Sequence, residues 1–346
     1  MENVVPHSGT AVARGDGGWM LTDKKVLITG ATGNVARSIA LALASDNEVW
    51  CAARFSDPSV AAPATGPAGG DTKQYDGPAV RAELEQQGLR TVRWTLGDPE
   101  MPGLPTDFTH VLHAAVDFDP RHDVAVQTNA VGAAMLMAHC RTAEAFVHVS
   151  TSAVYAHLEP DHWHVETDPL GGTYVPLPSY TVSKLAAEAA VQSAAQILGV
   201  PTTIARMNTA YGTSRKGGIA VEQFGMMLRG EPIAVPIGHD DWCSPIDERD
   251  IAEQASGPLF DIASVPATIV NWNGDDAVSQ RQYCQYFADL AGLEVRFEER
   301  EVTWDSRIGD PAKRRGLIGD CRHRWQDGMR RAIEHYHPGV FDGAAR

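Results

Sequence analysis

A short apolar run near the start of the chain is followed by a glycine turn and then by a helix-forming segment. The run is Lys25–Thr29, whose apolar and β-branched side chains suit a buried strand. Gly30 and Gly33 follow it, and the segment from Arg37 to Ala44 is rich in Ala and Leu, which predicts a helix. Glycines here let the backbone turn sharply, and the free N–H groups of the helix can then face an anion. This order predicts a dinucleotide-binding turn.

Strands and helices alternate along the rest of the chain, and this alternation predicts an α/β fold with a parallel sheet. With the glycine turn first, we expect a Rossmann-type, doubly wound sheet followed by a smaller C-terminal α/β substrate-binding lobe. The predicted strands are 25–29, 48–54, 91–96, 109–115, 146–149, 202–207, 233–236, 267–272 and 294–299. The predicted helices are 37–44, 80–87, 128–143, 179–197, 221–228, 247–260, 279–290, 310–316 and 325–335.

The domain boundaries follow from the same pattern. We predict a flexible tail over 1–22, and a Rossmann domain over 23–205 to which 239–275 returns. The segments 206–238 and 276–340 would form the substrate-binding lobe. Residues 56–79 are rich in Pro, Gly and Ala, which indicates a mobile surface loop.

The amino-acid composition of the chain limits the classes of partner that it can bind. The 346 residues include 44 Asp and Glu against 29 Lys and Arg, a net charge of −15, which makes nucleic acid an unfavourable partner. The five cysteines are far apart in the sequence, and none of them forms a CxxC pair. This spacing indicates a reducing, cytoplasmic setting without a disulfide framework. No stretch reaches the ~20 apolar residues of a membrane span. We therefore expect a small-molecule substrate, with no membrane and no metal.

Tyr180 and Lys184 are four residues apart at the start of a segment that should be helical. Side chains with that spacing lie on the same helix face. An ammonium group close to a phenol would lower the tyrosine pKa from about 10 towards working pH. Such a tyrosine can exchange a proton as hydride moves to or from a carbonyl carbon. The alternative is that this spacing arises by chance, as it does on many helices.

Other candidates stand at strand ends, where ligands bind in parallel sheets. The second strand ends in Ala53-Arg54; an arginine suits the 2′-phosphate of NADP, although Arg54 could equally be a solvated loop residue. Asp98 could accept from an adenine amino group or simply belong to a turn. The small side chains of Ala114 and Ala115 would let a cofactor pass close to the backbone.

The segment 157–178 contains His157, His162, His164 and Glu166. Three histidines raise the possibility of zinc, but no helix fixes their spacing and no cysteine supports them. We expect this segment to cover the substrate instead.

Five motifs resemble those of the extended short-chain dehydrogenase/reductase family, often labelled NAD-dependent epimerase/dehydratase. They occur in the family's order from Lys25 to about His337, and they are residues 29–33 (TGATG), 111–115 (VLHAA), 150–155 (STSAVY), 180–184 (YTVSK) and 206–212 (RMNTAYG).

The resemblance implies a role for each matching residue. Tyr180 would be the general acid/base, Lys184 would bind the nicotinamide ribose, and Thr151 would hydrogen-bond the reacting oxygen. Met207 would approach the nicotinamide and Asp98 the adenine. The turn residues that would hold the pyrophosphate are Gly30, Thr32, Gly33, Asn34 and Val35. Members of this family often form homodimers through helices that flank the sheet.

The chain also departs from the pattern of members that act on nucleotide sugars. Thr209 stands where they usually carry asparagine, and residues 239–245 carry two acids where they carry arginine. A diphosphate needs charge-assisted donors. We therefore predict an NADP(H)-dependent oxidoreductase acting on a small carbonyl or hydroxyl substrate, with Ser152, Thr209 and Trp242 near that substrate. The alternatives are a nucleotide-sugar epimerase or dehydratase with tightly bound NAD, and a non-catalytic NADP sensor.

Overall fold

A computed structural model of the chain describes residues 12–13, 19–56, 76–214, 217–301 and 306–342. Most of the predicted surface loop at 56–79 and most of the predicted tail at 1–22 lie outside these residues. Within the tail, Val12–Ala13 pairs antiparallel with Trp19–Met20. Leu21 is buried, and its N–H donates to the Ser256 carbonyl at 2.8 Å.

Seventeen strands occur in the described residues. They are β1 (Val12–Ala13), β2 (Trp19–Met20), β3 (Lys25–Thr29), β4 (Glu48–Ala53), β5 (Arg90–Arg93), β6 (His110–His113), β7 (Ala145–Thr151), β8 (Trp163–His164), β9 (Thr202–Met207), β10 (Ala210–Tyr211), β11 (Ile233–Pro236), β12 (Trp242–Cys243), β13 (Ile246–Asp247), β14 (Thr268–Trp272), β15 (Val278–Ser279), β16 (Phe297–Arg300) and β17 (Ile308–Gly309).

Eleven α-helices occur in the same residues. They are α1 (Asn34–Leu43), α2 (Gly77–Gln86), α3 (His122–Val126), α4 (Gly132–His139), α5 (Pro178–Leu198), α6 (Ile219–Leu228), α7 (Glu248–Ala255), α8 (Pro258–Asp261), α9 (Gln280–Ala291), α10 (Ala312–Ile318) and α11 (Trp325–Tyr336). A π-helical turn, Gln127–Val131, joins α3 to α4, and a 3₁₀ turn, Ser152–Val154, follows β7.

The central sheet has seven parallel strands in the order β14-β9-β7-β6-β3-β4-β5. This confirms the predicted Rossmann-type α/β fold. The chain runs outward in one direction from β3 to β5 and in the other from β6 to β14. The strand order therefore reverses between β3 and β6, and in such sheets ligands bind outside the carboxyl ends of the strands at that point.

Apolar side chains cover both faces of this sheet. On one face α1, α7 and α8 contribute Ile39, Leu43, Ile251 and Leu259 to a buried cluster. On the other, α4 and α5 contribute Leu136 and Val191 among others. Because helices cover both faces, β3, β6, β7 and β9 are buried along almost their whole length, as is typical of parallel strands.

A separate buried cluster lies in the C-terminal part of the chain. It is built mainly from α6, α9 and α11, with Phe224, Phe287 and Ile333 at its centre. The parallel pair β11–β16 belongs to the same region. A helix that crosses a bilayer needs about 20 apolar residues, and within the described ranges no helix meets that requirement.

Two predicted helices differ from the structure. The single helix predicted at 247–260 is wrong, because the chain forms α7 and α8 instead; Gly257 (φ −178°) separates them and Pro258 starts the second. The helix predicted at 128–143 starts earlier, at His122, and contains the π-helical turn. In that turn Asn129 is buried and donates to Ser183 of α5 at 2.9 Å.

Candidate active site

The carboxyl ends of β3, β6, β7 and β9 meet along one edge of the sheet. Register places Thr29 beside His113 and Thr151 beside Met207. The Thr29 hydroxyl lies 2.7 Å from His113 Nδ1 and accepts from the Ala115 N–H at 3.1 Å. The predicted phosphate-binding turn and the predicted catalytic threonine therefore lie on the same edge.

The turn after β3 leaves no room for a side chain at residue 30. Gly30 has φ +74°, and a Cβ there would lie 2.9 Å from the Ala115 backbone, so only glycine fits. Helix α1 then begins with Gly33 as its N-cap and without a capping side chain. The Asn34 Oδ1 atom is buried and has no hydrogen-bond partner among the residues that the structure describes. Thr32 and Val35 complete the turn, which leaves α1 N–H groups available, and this arrangement fits a dinucleotide pyrophosphate.

Tyr180 lies in the first turn of α5, next to Thr151. The Thr151 Oγ1 accepts from the Ala153 N–H at 3.2 Å, which leaves its proton for the Tyr180 phenol. The Tyr180 ring stacks on Phe118 at 5.3 Å and meets Tyr174 edge-on at 6.2 Å. Two aromatic neighbours and one hydroxyl therefore fix the phenol in place.

The ammonium group of Lys184 does not lower the pKa of Tyr180, as the sequence had predicted. Its ammonium group donates to the Val149 carbonyl at 2.6 Å and lies 3.4 Å from His148 Nε2. Burial raises the pKa of Tyr180, and the hydrogen bond with Thr151 only partly opposes that rise. The predicted fall in the tyrosine pKa is wrong, because the lysine ammonium is bound to β7 instead. Burial lowers the pKa of Lys184 itself to about 8, against the opposing charge of Glu188.

Sequence reasoning missed a buried ionic cluster behind this lysine. Glu188 accepts from Arg206 twice, with Nε at 3.0 Å and Nη2 at 2.8 Å, and from Ser150 at 2.5 Å. The Arg206 guanidinium lies 4.9 Å from the centre of the Tyr155 ring and donates to the Glu166 carbonyl at 3.1 Å. The signal was available, because Glu188 is four residues after Lys184 on the same face of α5.

His148 was also missed. It is buried on β7 beside His113, with ring centres 5.3 Å apart. Burial and the nearby Lys184 charge hold the pKa of His148 well below its usual value, so the ring is neutral at pH 7. It can therefore accept a hydrogen bond from Lys184.

The remaining predicted cofactor residues lie along the expected edge. Arg54 follows β4, is largely exposed, and has Nη1 3.5 Å from an Asp117 carboxylate oxygen. Asp98 closes a turn by accepting from the Glu100 N–H at 3.0 Å. Ala114 follows β6 directly, and Met207 is buried at the end of β9.

The three predicted substrate residues are not gathered in one place by any described contact. Ser152 opens the 3₁₀ turn after β7, and Thr209 accepts from the Ile246 N–H at 2.9 Å. The Trp242 backbone binds residues 306 and 307. Sequence reasoning overlooked Arg307. This residue is buried, and its guanidinium lies 3.3 Å from His157 Nδ1.

The reversing order of the parallel strands and the glycine turn at the switch point define a Rossmann-type α/β protein. A comparison with known families agrees: the NAD-binding family described as "Male sterility protein" matches residues 28–234, more than half of the chain. The chain belongs to this family and, more broadly, to the extended short-chain dehydrogenases/reductases.

Solved structures show the same fold over nearly the whole chain. The UDP-glucuronic acid 4-epimerase of Bacillus cereus (a Tyr→Phe mutant) aligns with a TM-score of 0.72 and 18% identity, covering 90% of this chain and 98% of that one. The UDP-glucose 4-epimerase of Thermus thermophilus gives 0.67 and 22%, covering 90% and 99%. The UDP-N-acetylglucosamine 4-epimerase of Methanobrevibacter ruminantium gives 0.68 and 16%, covering 92% and 99%. No curated protein sequence matches significantly.

Proposed function

We propose that the protein catalyses reversible oxidation of a carbinol carbon with a bound nicotinamide dinucleotide, and that Tyr180 exchanges the hydroxyl proton. The observation that carries this proposal is the contact between Tyr180 and Thr151 on the same sheet edge as the Gly30 turn. When bound, a nicotinamide would supply or accept the hydride. Thr151 holds the reacting oxygen, and Tyr180 gives it a proton or removes one.

The cofactor is held by the chain's own turns in this proposal. Backbone N–H groups at Gly30, Gly33, Asn34 and Val35 bind the pyrophosphate, with Thr32 between them. Asp98 faces the adenine, while Ala114 and Ala115 allow close approach. Lys184 binds the ribose next to Tyr180, and Met207 faces the nicotinamide.

Among the possible outcomes, we infer an epimerase or dehydratase that keeps its NAD through a full cycle. The three solved structures named above are nucleotide-sugar 4-epimerases, two of them described with NAD, and their alignments cover at least 90% of this chain. Arg307 also supports this proposal, because it is buried and its guanidinium lies 3.3 Å from His157, in the segment that we expect to cover the substrate. Such a guanidinium suits a phosphate group.

A second candidate is the NADP-dependent oxidoreductase that the sequence favoured. Two observations support it. Arg54 is exposed at the end of β4, where it could meet a 2′-phosphate. Asp241 is buried beside Trp242, and burial raises the pKa of its carboxyl group to about 6. A carboxylate at that place would repel a diphosphate.

The retained cofactor distinguishes the two candidates. Purified protein should be denatured and the released dinucleotide identified and counted. We expect close to one NAD per chain for the epimerase or dehydratase. The second candidate replaces the first if two results are found together. The purified protein contains no cofactor, and NADP raises its melting temperature at a concentration at least tenfold lower than NAD requires for the same rise. Arg54→Ser should then remove that preference, whereas Arg90→Ser, at the amino-terminal end of β5, should not.

Lys184 makes the affinity for dinucleotide depend on pH. Its ammonium form predominates below its pKa of about 8 and is lost as the pH rises through that value. If the ammonium binds the ribose, the Kd for NADH or NADPH should rise by up to about tenfold per pH unit above pH 8. Cofactor fluorescence titrations on cofactor-free protein from pH 6.5 to 9.5 measure this.

Lys184→Met should weaken binding and flatten that pH profile. Lys24→Met is the matched control, because Lys24 pairs with Glu144 at the opposite edge of the sheet. A wild-type Kd that stays constant up to pH 9.5 would refute the role of Lys184 in ribose binding.

A further inference from the structure

Three side chains of the segment between β7 and α5 form a cluster away from Tyr180. They are His162, His164 and Asp168, and their potential ligand atoms all lie within 4.8 Å of one another. The sequence offered nothing to fix their spacing. The structure does, because β8 pairs with β17 and the Asp168 carboxylate accepts from the Val165 N–H at 3.1 Å.

His164 is held in one orientation. Its side chain is only 3% exposed, and its ring stacks on Tyr155 at 4.8 Å with 16° between the planes. Tyr155 is itself fixed, because its hydroxyl donates to Asn271 at 2.6 Å. The imidazole therefore cannot turn to find another partner.

The Nδ1 atom of this ring is buried, and no residue that the structure describes gives it a hydrogen bond of good geometry. It lies 3.4 Å from Asp168 Oδ2, within ion-pair distance of that carboxylate. On the other side of the carboxylate, His162 Nε2 lies 2.7 Å from the same oxygen. A buried polar atom without a partner is costly. Two imidazole nitrogens and a carboxylate that converge in this way suit a shared cation.

We propose that His162, His164 and Asp168 bind one divalent transition-metal ion, for which Zn²⁺ is the best match. Zinc accepts two imidazoles and a carboxylate in tetrahedral geometry, with water as the fourth ligand. The His162 side chain is 37% exposed, which leaves that position open to solvent. The ion would link residues 162 and 164 to residue 168. Glu166, in the same segment, already accepts from Arg206 through its carbonyl and from the Asn271 N–H through its carboxylate.

The test is a zinc titration of full-length protein after treatment with EDTA and removal of the chelator. Calorimetry should show one strong equivalent of Zn²⁺ per chain, and Co²⁺ should give the visible absorption of a tetrahedral site. His162→Ala and Asp168→Asn should each weaken binding at least tenfold. His239→Ala is the control, since His239 is exposed and its ring hydrogen-bonds the Asp240 carbonyl, away from residues 162–168 in the chain.

Equal zinc affinity in wild type and His162→Ala would overturn the proposal, and so would an equal loss in His239→Ala. Circular dichroism should verify that each variant is folded. If His162→Ala does not fold, Asp168→Asn decides the question, because an amide preserves the size of the side chain and can still accept from the Val165 N–H. The readout is metal binding, so the result does not depend on the proposed activity.

Discussion

Replacing Tyr180 with phenylalanine is expected to reduce turnover by about 10²- to 10⁴-fold, the contribution typical of a general acid or base. The ring stacks on Phe118 and meets Tyr174, and phenylalanine preserves both contacts. Only the proton donor and its hydrogen bond with Thr151 are lost. Dinucleotide affinity should therefore change by less than about threefold, since the phosphate-binding turn is untouched.

The measurement is kcat on a substrate identified in a nucleotide-sugar and carbonyl panel, together with a fluorescence titration of cofactor. Tyr286→Phe is the matched control, because Tyr286 is partly exposed on α9 and its ring contacts survive the change. Turnover in Tyr180→Phe within tenfold of wild type would remove Tyr180 from the mechanism. Loss of cofactor binding instead would show that the phenol has a structural role.

Glu188→Gln is expected to be the most destabilising single substitution near the site. Glu188 and Arg206 are each only 2% exposed, and removal of the carboxylate charge leaves a buried guanidinium without its counter-charge. Breaking a buried ion pair in this way costs about 3–5 kcal/mol. Urea unfolding should show a lower midpoint with an unchanged slope.

The appropriate comparison is Glu334→Gln, which breaks an exposed pair with Arg330 on α11. Exposed pairs contribute little, so its midpoint should match that of wild type. If Glu188→Gln unfolds at the wild-type urea concentration, the Glu188–Arg206 pair does not stabilise the fold, and the link between α5 and residue 166 is weaker than the contacts indicate.

Local sequence patterns were enough to predict strands of the sheet and the glycine turn. The strands at Lys25–Thr29, Thr202–Met207 and Ile233–Pro236 have the predicted bounds, because buried parallel strands are short apolar runs with few alternatives. Gly30 was predictable for a similar reason, since only glycine satisfies its positive φ and its contact with Ala115.

Long-range partners were not predictable in the same way. The spacing of Tyr180 and Lys184 identified the helix face, but not the Val149 carbonyl that binds the ammonium from a strand 35 residues earlier. The cluster at 162–168 depends on pairing with β17, which lies far away in sequence. The break between α7 and α8 did have a local signal, the Gly257-Pro258 pair.

The hydrogen bonds made by Arg206 and Asn271 have a consequence for the redesign of substrate selectivity. His164 and Glu166 are joined to β9 and β14 through hydrogen bonds of 2.7 to 3.1 Å, so this part of the segment forms a fixed wall. Thr173, Val175 and Pro176 are exposed by contrast. Libraries that diversify 173–176 should therefore yield folded variants with new preferences, whereas libraries at 164–166 should mostly yield unfolded chains.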